Sequence, residues 1–408
     1  MSDVLDVWRD GVVVAHLTRT LGKKWSVIGC EYTNEATAPL SLSLPLDGTA
    51  TKRAAASFID NLLPDNPRIR ASWAARLGVP DTSFDLLGEM GEDVAGALII
   101  VPEDRQPSTE LAQTQRADDD EIADRIMRIA SDRDAWLAPE RIGTTRMSLA
   151  GTQGKFTLAR FHDRWFWPSA ALPSTHILKP PPKGEFPGLV ELEAGSLELA
   201  RRVGLDAPVA TVESFRSQKV YSVERFDRVT DEQGITHRVA TEDLAQAMGM
   251  HSHEKYHAGV PQVVRLLAAH CEEEQSYVFM RMLAFHTVTG NADAHLKNYS
   301  VMLDGPVRLA PVYDTMPNMI WPGLSQKLAM KIGHAVNPAA VQEGNWTKMA
   351  QSVHLDPGRV LDIVRDVSTI VAAQAHDVYQ EYGVPDRELA AVDRLVEKTT
   401  SRLRRNHA

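Results

Sequence analysis

Three polar residues in the C-terminal half of the chain have types and spacing suited to phosphate chemistry. Asp293 and Asn298 lie five positions apart in a predicted loop, and Asp314 follows sixteen residues later, after two short apolar stretches. Phosphoryl transfer needs a side chain that accepts the proton of the attacking hydroxyl, and oxygen ligands that hold magnesium against the phosphates. The spacing favours Asp293 as the base and Asn298 and Asp314 as the ligands, rather than turn residues alone.

A stretch rich in glycine and small residues precedes a predicted strand upstream. Residues 150–155 read Ala-Gly-Thr-Gln-Gly-Lys, and such glycines let backbone amides approach phosphate oxygens closely. Lys179 ends an apolar strand pattern, where its ammonium group could pair with phosphates. Taken alone, each pattern also fits a plainer interpretation, a hairpin turn for the first and an exposed strand-end lysine for the second.

Two further features would have a place in such a site. Residues 224–226, Glu-Arg-Phe, close the strand-rich part of the chain, where backbone groups would face adenine; a mixed-charge strand end is the alternative. Glu193 lies on the helix predicted after Lys179 and is a candidate salt-bridge partner of that lysine. Glu191 and Glu198 compete with it for this role.

A histidine-rich segment raises the question of a metal site. His251, His253 and His257 are close enough in sequence to bind zinc, but no cysteine or clear fourth ligand lies nearby. A solvated loop is therefore the favoured interpretation. Cys30 and Cys271 are far apart, which indicates neither a disulfide framework nor a cysteine metal site, as in a reducing cytoplasm.

The composition is that of an ordinary globular protein, with 43% hydrophobic and 24% charged residues. Its 44 basic and 54 acidic residues give a net charge of -10, which argues against a surface dedicated to nucleic acid. Arg402, Arg404 and Arg405 form the clearest basic cluster, interpreted as a solvated helix end. We expect a cytoplasmic protein, because neither a signal peptide nor an apolar run of roughly 18 residues is present.

The elements that must position these residues follow from periodicity and from turn signals, such as Asp10-Gly11, which predicts a hairpin turn between the first two strands. Strands are predicted at 4–8, 12–17, 25–32, 40–46, 95–101, 155–160, 175–179, 207–215 and 219–226, with shorter apolar stretches at 299–303 and 307–313. Helices are predicted at 53–63, 66–77, 190–203 and through most of 340–405, with others beginning near Asp118 and ending near Thr289.

This order is that of an α+β, two-lobed protein-kinase-like fold with an N-terminal β-rich subdomain and an all-helical C-terminal lobe. Many unrelated folds share the order, so the prediction of this fold rests also on the candidate site residues. A length of 408 residues is enough for several packed parts. We predict an accessory β-rich subdomain at 1–102, an ATP-binding α+β lobe at 103–230 and a helical catalytic lobe at 231–408.

Six segments together resemble the HipA family of serine/threonine-protein kinases, the toxins of bacterial type II toxin–antitoxin pairs. They are residues 61–66, 148–155, 175–180, 223–228, 290–300 and 311–314. The resemblance implies that Asp293 is the catalytic base and that Asn298 and Asp314 bind magnesium. It implies an ATP pocket lined by Ala150, Gly151, Thr152, Gln153, Gly154, Lys155, Lys179, Glu224, Arg225, Phe226, His295, Leu296, Lys297, Asn298, Tyr313 and Asp314.

The resemblance also carries expectations about regulation and partners. It implies ATP and Mg²⁺ as cofactors, autophosphorylation at Ser148, and a small DNA-binding antitoxin, HipB-like, with which the chain would repress its own operon. DNA would be reached mainly through that antitoxin, and the substrate would be a protein, with the translation machinery as one source. Two rival functions stay open: a non-catalytic kinase-fold protein acting only in a repressor complex, and a small-molecule kinase.

Overall fold

The computed structural model describes residues 3–22, 26–107, 111, 114–132, 153–182, 184 and 186–403. Contacts group the chain into two compact units. Unit 1 comprises Met1–Lys183, Ser214–Val220 and Glu224–Glu254, and unit 2 comprises Gly184–Glu213, Tyr221–Val223 and Lys255–Ala408. The three-part division at residues 102 and 230 stays a prediction.

The first sheet of unit 1 is antiparallel and has the order β3-β2-β1-β4. Its strands are β1 (Val4–Arg9), β2 (Val12–Leu21), β3 (Ser26–Tyr32) and β4 (Ile99–Pro102). Asp10 and Gly11 join the first two strands with φ angles of 51° and 82°. Both values are left-handed, as the predicted Asp-Gly hairpin turn requires.

Three helices cover this sheet and bury a common apolar core. They are α1 (Ala54–Asn61), α2 (Pro67–Leu77) and α3 (Ser83–Met90). Phe58 and Trp73 are almost fully buried in a cluster with Leu5 and Leu17 of the sheet. Helices predicted at 53–63 and 66–77 are thus confirmed within a few residues.

The strand predicted at 40–46 is wrong. The segment is a turn with one isolated bridge, Ser41 to Leu44. The Tyr32 hydroxyl accepts the Leu40 N–H at 2.8 Å and donates to the Leu44 carbonyl. Because the Tyr32 side chain satisfies the hydrogen bonds of these two backbone groups, they need no partner strand.

The strand predicted at 95–101 is shorter than expected. Gly96 has a φ of 81°, and its N–H donates to the carboxylate of Asp227 at 2.7 Å. A Cβ atom there would lie 2.7 Å from the Thr241 carbonyl oxygen. This close approach turns the chain before β4 begins at Ile99.

A second group of strands follows α4 (Asp119–Ser131). That helix begins with a capping box, in which Asp118 accepts the Glu121 N–H at 2.9 Å. The strands are β5 (Phe156–Phe161), β6 (Arg164–Phe166), β7 (His176–Lys179), β8 (Ala210–Phe215) and β9 (Gln218–Glu224), with α5 (Leu189–Arg202) between β7 and β8. Their order in the sheet is β6-β5-β7-β9-β8.

Short elements complete unit 1 up to Glu254. They are β10 (Arg228–Thr230), β11 (Thr236–Arg238), β12 (Thr241–Asp243) and α6 (Leu244–Ala247). The strands β10 and β11 form an antiparallel pair.

A buried network of ions holds the start of β10. Arg228 donates to Asp93 at 3.0 Å, and Arg225 donates to Asp227 at 2.7 and 2.9 Å. Burial would raise the pKa of Asp227, but Arg225 and Arg228 hold that pKa well below its usual range.

Helices dominate unit 2. Besides α5, they are α7 (Val260–His270), α8 (Glu274–Thr289), α9 (Glu343–Ser352), α10 (Pro357–Glu381) and α11 (Asp386–Thr400). The long helix α10 packs against α5, α8, α9 and α11. Apart from its first residues, α8 is buried on nearly every side, because Phe279, Met280, Leu283 and Phe285 point to different faces and are all enclosed.

The helical part is not entirely helical, which corrects one detail of the predicted fold. Strands β13 (Ser300–Met302) and β14 (Arg308–Leu309) form an antiparallel hairpin. Between β14 and α9 the chain is mostly irregular. These two strands lie within the apolar stretches predicted at 299–303 and 307–313, and the α+β class is confirmed.

Candidate active site

Helix α8 delivers the chain into the loop that holds the candidate base. The helix is capped by Gly290, which has a φ of 74° and whose N–H donates to the His286 carbonyl. A Cβ atom at this position would lie 2.5 Å from Cδ2 of Leu395 on α11. Glycine therefore satisfies two demands at once, a left-handed backbone and a close neighbour.

Hydrogen bonds within the loop determine the position of Asp293. Its N–H donates to Asn291 Oδ1 at 3.0 Å. Its carbonyl accepts the His295 N–H at 2.7 Å and the Asn298 side-chain amide at 2.8 Å. The Ala292 N–H donates to Asn318 Oδ1 at 2.8 Å. The backbone of the candidate base is thus held by three bonds of its own and by one on the preceding residue, while Asp293 itself stays exposed.

Exposure separates Asp293 from its neighbours. Residues 291–292 and 294–300 are all buried, and Asp293 is exposed. An exposed carboxylate on a rigid buried loop can be reached by the hydroxyl of another molecule, which a proton acceptor requires.

The two predicted metal ligands offer hard oxygen atoms of the kind magnesium prefers. Asn298 is 4% exposed and its Nδ2 donates to the Asp293 carbonyl, so the amide oxygen is the end left for a cation. Asp314 is exposed and has a φ of 51°. The donor set therefore fits a magnesium ion.

Side-chain bonds tie the segment before Asp314 to the loop. The Tyr313 hydroxyl donates to the Lys297 carbonyl at 2.8 Å and lies 2.7 Å from the Ser300 hydroxyl. Two residues predicted as pocket lining, Lys297 and Tyr313, are thus brought together. Both His295 and Leu296 are buried in the same loop.

The buried His286 side chain contacts both the loop and the residue after Asp314. Its Nδ1 lies 3.1 Å from Asn291 Nδ2 and 3.3 Å from Thr315 Oγ1. Burial lowers the pKa of His286 to about 3, against the opposing charge of Asp314. The ring is therefore neutral at ordinary pH and accepts the Asn291 amide, which in turn holds Asp293. The spacing motif gave no sign of this supporting histidine, because its contacts depend on how α8 packs.

A second group missed by sequence reasoning is Tyr256. Its hydroxyl donates to Asp293 Oδ1 at 2.5 Å, and its ring meets His295 edge-on at a centroid distance of 5.0 Å. The available signal was weak, since Tyr256 lies within the histidine-rich segment interpreted as a solvated loop.

The predicted phosphate-binding residues of unit 1 are partly described. Ser148, Ala150, Gly151 and Thr152 lie outside the described residues. Gln153, Gly154 and Lys155 lead into β5, and Lys155 is 8% exposed. Lys179 ends β7 and is 6% exposed, so it is not the exposed strand-end lysine of the plainer interpretation. Glu193 lies on α5 in unit 2 and is 1% exposed.

The predicted adenine-facing segment has a structural role at its centre. The Arg225 N–H donates to the Thr175 carbonyl at 2.8 Å, and its guanidinium belongs to the buried ion network. Glu224 is exposed and Phe226 is half-buried.

The rings of His251 and His253 stack at 5.6 Å, and the described residues hold no group of three or more metal-binding side chains. Cys30 and Cys271 are both free thiols. Within the described part of the chain, no helix is long and apolar enough to cross a bilayer.

Comparison with known proteins agrees with the geometry. A family model described as the HipA N-terminal domain matches residues 5–101, and one described as the HipA-like C-terminal domain matches residues 147–375. The chain is 34% identical over 402 residues to "Putative kinase Y4mE" of Sinorhizobium fredii, covering 93% of each chain. It is 30% identical over 324 residues to "Serine/threonine-protein kinase toxin HipA" of Shewanella oneidensis, covering 74% of this chain and 72% of the other.

One solved structure shares the whole fold. It is the Shewanella oneidensis toxin–antitoxin complex of HipA, HipB and operator DNA, and it matches with a TM-score of 0.80 over 98% of this chain and 96% of the other. The identity of 24% makes this a likeness of fold. Together, the two family models, the kinase relatives and the loop around Asp293 show that the chain belongs to the HipA family of kinases.

Proposed function

We propose that the chain is an ATP- and magnesium-dependent serine/threonine-protein kinase and the toxin of a toxin–antitoxin pair. The observation that carries the proposal is the exposed Asp293 carboxylate on a loop whose backbone is held by Asn291, His295 and Asn298. Membership of the HipA family and 30% identity to a serine/threonine-protein kinase toxin support the same reaction.

In the proposed reaction, Asp293 accepts the proton of a serine or threonine hydroxyl as that oxygen attacks the γ-phosphorus of ATP. Asn298 and Asp314 would hold magnesium, which neutralises phosphate charge when bound. Lys179 is assigned to the α- and β-phosphates, and residues 150–155 to the loop that covers them. A placed proton acceptor contributes roughly 10²–10⁴ in rate.

Substitution of the base tests this proposal directly. We expect Asp293→Asn to reduce transfer of labelled phosphate from magnesium-ATP to protein by at least about 100-fold, because the amide cannot accept a proton. Asp304→Asn is a matched control, since Asp304 is an exposed carboxylate outside the loop. Wild-type activity in Asp293→Asn, at an unchanged melting temperature, would refute the assignment.

Two measurements distinguish the proposed protein kinase from a non-catalytic kinase-fold protein and from a small-molecule kinase. Magnesium-ATP should raise the melting temperature of wild type, since a ligand bound only by the folded chain stabilises it. Binding without transfer of label to any acceptor would favour the non-catalytic protein. Label found on a small molecule from cell lysate, and on no protein, would favour the small-molecule kinase.

Autophosphorylation at Ser148 is proposed as an off-switch. A phosphate on Ser148 adds a charge of about -1.5 to -2 two residues before the predicted phosphate-binding loop, and would repel ATP. We expect weaker ATP binding by the phosphorylated chain in calorimetry, with Ser148→Ala treated identically as the control. Equal affinities before and after incubation with magnesium-ATP, at full phosphorylation by intact mass, would contradict the switch.

Partners are proposed by analogy with the solved complex. That assembly contains HipA, HipB and operator DNA, so we propose a small HipB-like DNA-binding antitoxin and contact with DNA mainly through it. A protein substrate is proposed, with the translation machinery as one source, and the cytoplasm as the compartment. The net charge of -10 agrees with a chain that does not bind DNA chiefly by itself.

A further inference from the structure

Tyr256 makes an unusual contact for a half-exposed side chain. It is 50% exposed, yet its hydroxyl donates to Asp293 Oδ1 at 2.5 Å across 37 residues of sequence. The bond is formed on the solvent side of the loop, because Asp293 is the exposed residue among buried neighbours. An acceptor hydroxyl must approach Asp293 from this same side.

Two other contacts attach Tyr256 to the loop. Its ring meets the His295 ring edge-on, with centroids 5.0 Å apart. The carbonyl of the preceding residue, Lys255, accepts the Leu296 N–H at 3.1 Å. The hydroxyl, the ring and the adjoining backbone therefore all bind one short segment of the loop, so Tyr256 is held in place beside Asp293.

A carboxylate offers two oxygens to hydrogen-bond donors, and Tyr256 occupies Oδ1. We infer that Tyr256 is a positioning residue, which fixes the plane of the Asp293 carboxylate so that Oδ2 meets the acceptor hydroxyl. The inference rests on the proposed kinase function. As the acceptor oxygen bonds to the γ-phosphorus, the bond from phosphorus to ADP breaks, the acceptor proton passes to Oδ2, and Tyr256 keeps its own proton.

Removal of the single hydroxyl is the sharpest test. Tyr256→Phe keeps the ring against His295 and deletes the bond to Asp293. With magnesium-ATP and myelin basic protein as the probe, we expect kcat to fall roughly tenfold, the value of one well-placed hydrogen bond. The KM for ATP should stay within about twofold, because Tyr256 acts on the base. Tyr382→Phe, a hydroxyl deletion at the C-terminal end of α10, should leave both constants unchanged.

A double-variant cycle separates positioning from a structural role. In an Asp293→Asn background, Tyr256→Phe should cause no further loss of transfer, since the group that Tyr256 orients is already inactive. A further tenfold loss there would assign Tyr256 to some other task and overturn the inference.

The outcomes also distinguish the inference from the proposed function. Failure of wild type to transfer phosphate refutes the kinase and, with it, the role of Tyr256. An active wild type with an equally active Tyr256→Phe refutes positioning alone. Phosphate mapped to Tyr256 by mass spectrometry would make Tyr256 an acceptor and also overturn the inference.

Discussion

At the scale of single residues, hydrogen bonds orient the side chains of the candidate site. Asn298 uses its amide N–H group on the Asp293 carbonyl, which leaves its oxygen for a cation. Neutral His286 accepts from Asn291, and Asn291 accepts the Asp293 N–H. The position of the Asp293 backbone therefore depends on the side chains of Asn291 and Asn298.

Substitutions of Asp314 can separate its proposed role as a magnesium ligand from the demand of its backbone conformation. Its φ of 51° lies in the left-handed region, which asparagine tolerates better than alanine. We expect Asp314→Asn and Asp314→Ala both to abolish most phosphate transfer, and only Asp314→Ala to lower stability, by about 1 kcal/mol. Transfer at different magnesium concentrations and thermal melts measure the two effects. Wild-type transfer by Asp314→Asn would remove Asp314 from the metal site.

At the scale of elements, helix α8 and the strands around it serve as the support for the loop. The helix is enclosed by α10 and α11, and it ends where the chain can turn only with glycine. The support is rigid because buried side chains on several faces of α8 oppose any movement of its end.

Gly290 tests how far the loop depends on this helix end. Gly290→Ala places an L-residue at a φ of 74° and brings its Cβ against Leu395. Gly305→Ala imposes similar strain at a φ of 79°, with no atom within 4 Å of the new Cβ. We expect both to cost about 1–2 kcal/mol, and Gly290→Ala to cost about 1 kcal/mol more and to impair transfer. Denaturation and kinase assays compare the pair; equal losses would show that Leu395 yields freely.

At the scale of the whole molecule, the free energy of unfolding depends partly on buried ionisable groups. Burial raises the pKa of Glu242 to about 8, although the Leu42 N–H donates to its Oε1 at 2.8 Å. Glu242 is 1% exposed, so its neutral form is the one that suits the fold.

The raised pKa of Glu242 determines whether the stability of the fold rises or falls with pH. Between pH values of about 4.5 and 8, the folded chain keeps a proton on Glu242 that the unfolded chain has lost. Stability therefore falls as pH rises through this range, by at most about 1.4 kcal/mol per pH unit. Glu242→Gln keeps the acceptor oxygen and removes the titration. The melting temperature of wild type relative to Glu242→Gln should fall between pH 5 and 8, and a constant difference would contradict the assignment.

Local sequence determined those parts of the protein whose partners lie within a few residues. The Asp10-Gly11 turn, the helix start near Asp118 and the loop from Asp293 to Asn298 each depend on residues one to five positions apart, so local patterns predicted them. The same locality explains why the helices at 54–61 and 67–77 were predicted nearly to the residue.

Tertiary structure decided the features whose partners are distant in sequence. Residues 40–46 form a turn, and not the predicted strand, because the Tyr32 hydroxyl hydrogen-bonds to their backbone. Arg228 donates to Asp93 across 135 residues of sequence. Tyr256 reached Asp293 across 37 residues. The physical reason is the same in each case: a buried polar group must find a partner, and which partner it meets depends on packing that no local pattern encodes. The candidate base and metal ligands could therefore be named from the sequence, and the side chains that hydrogen-bond to them could not.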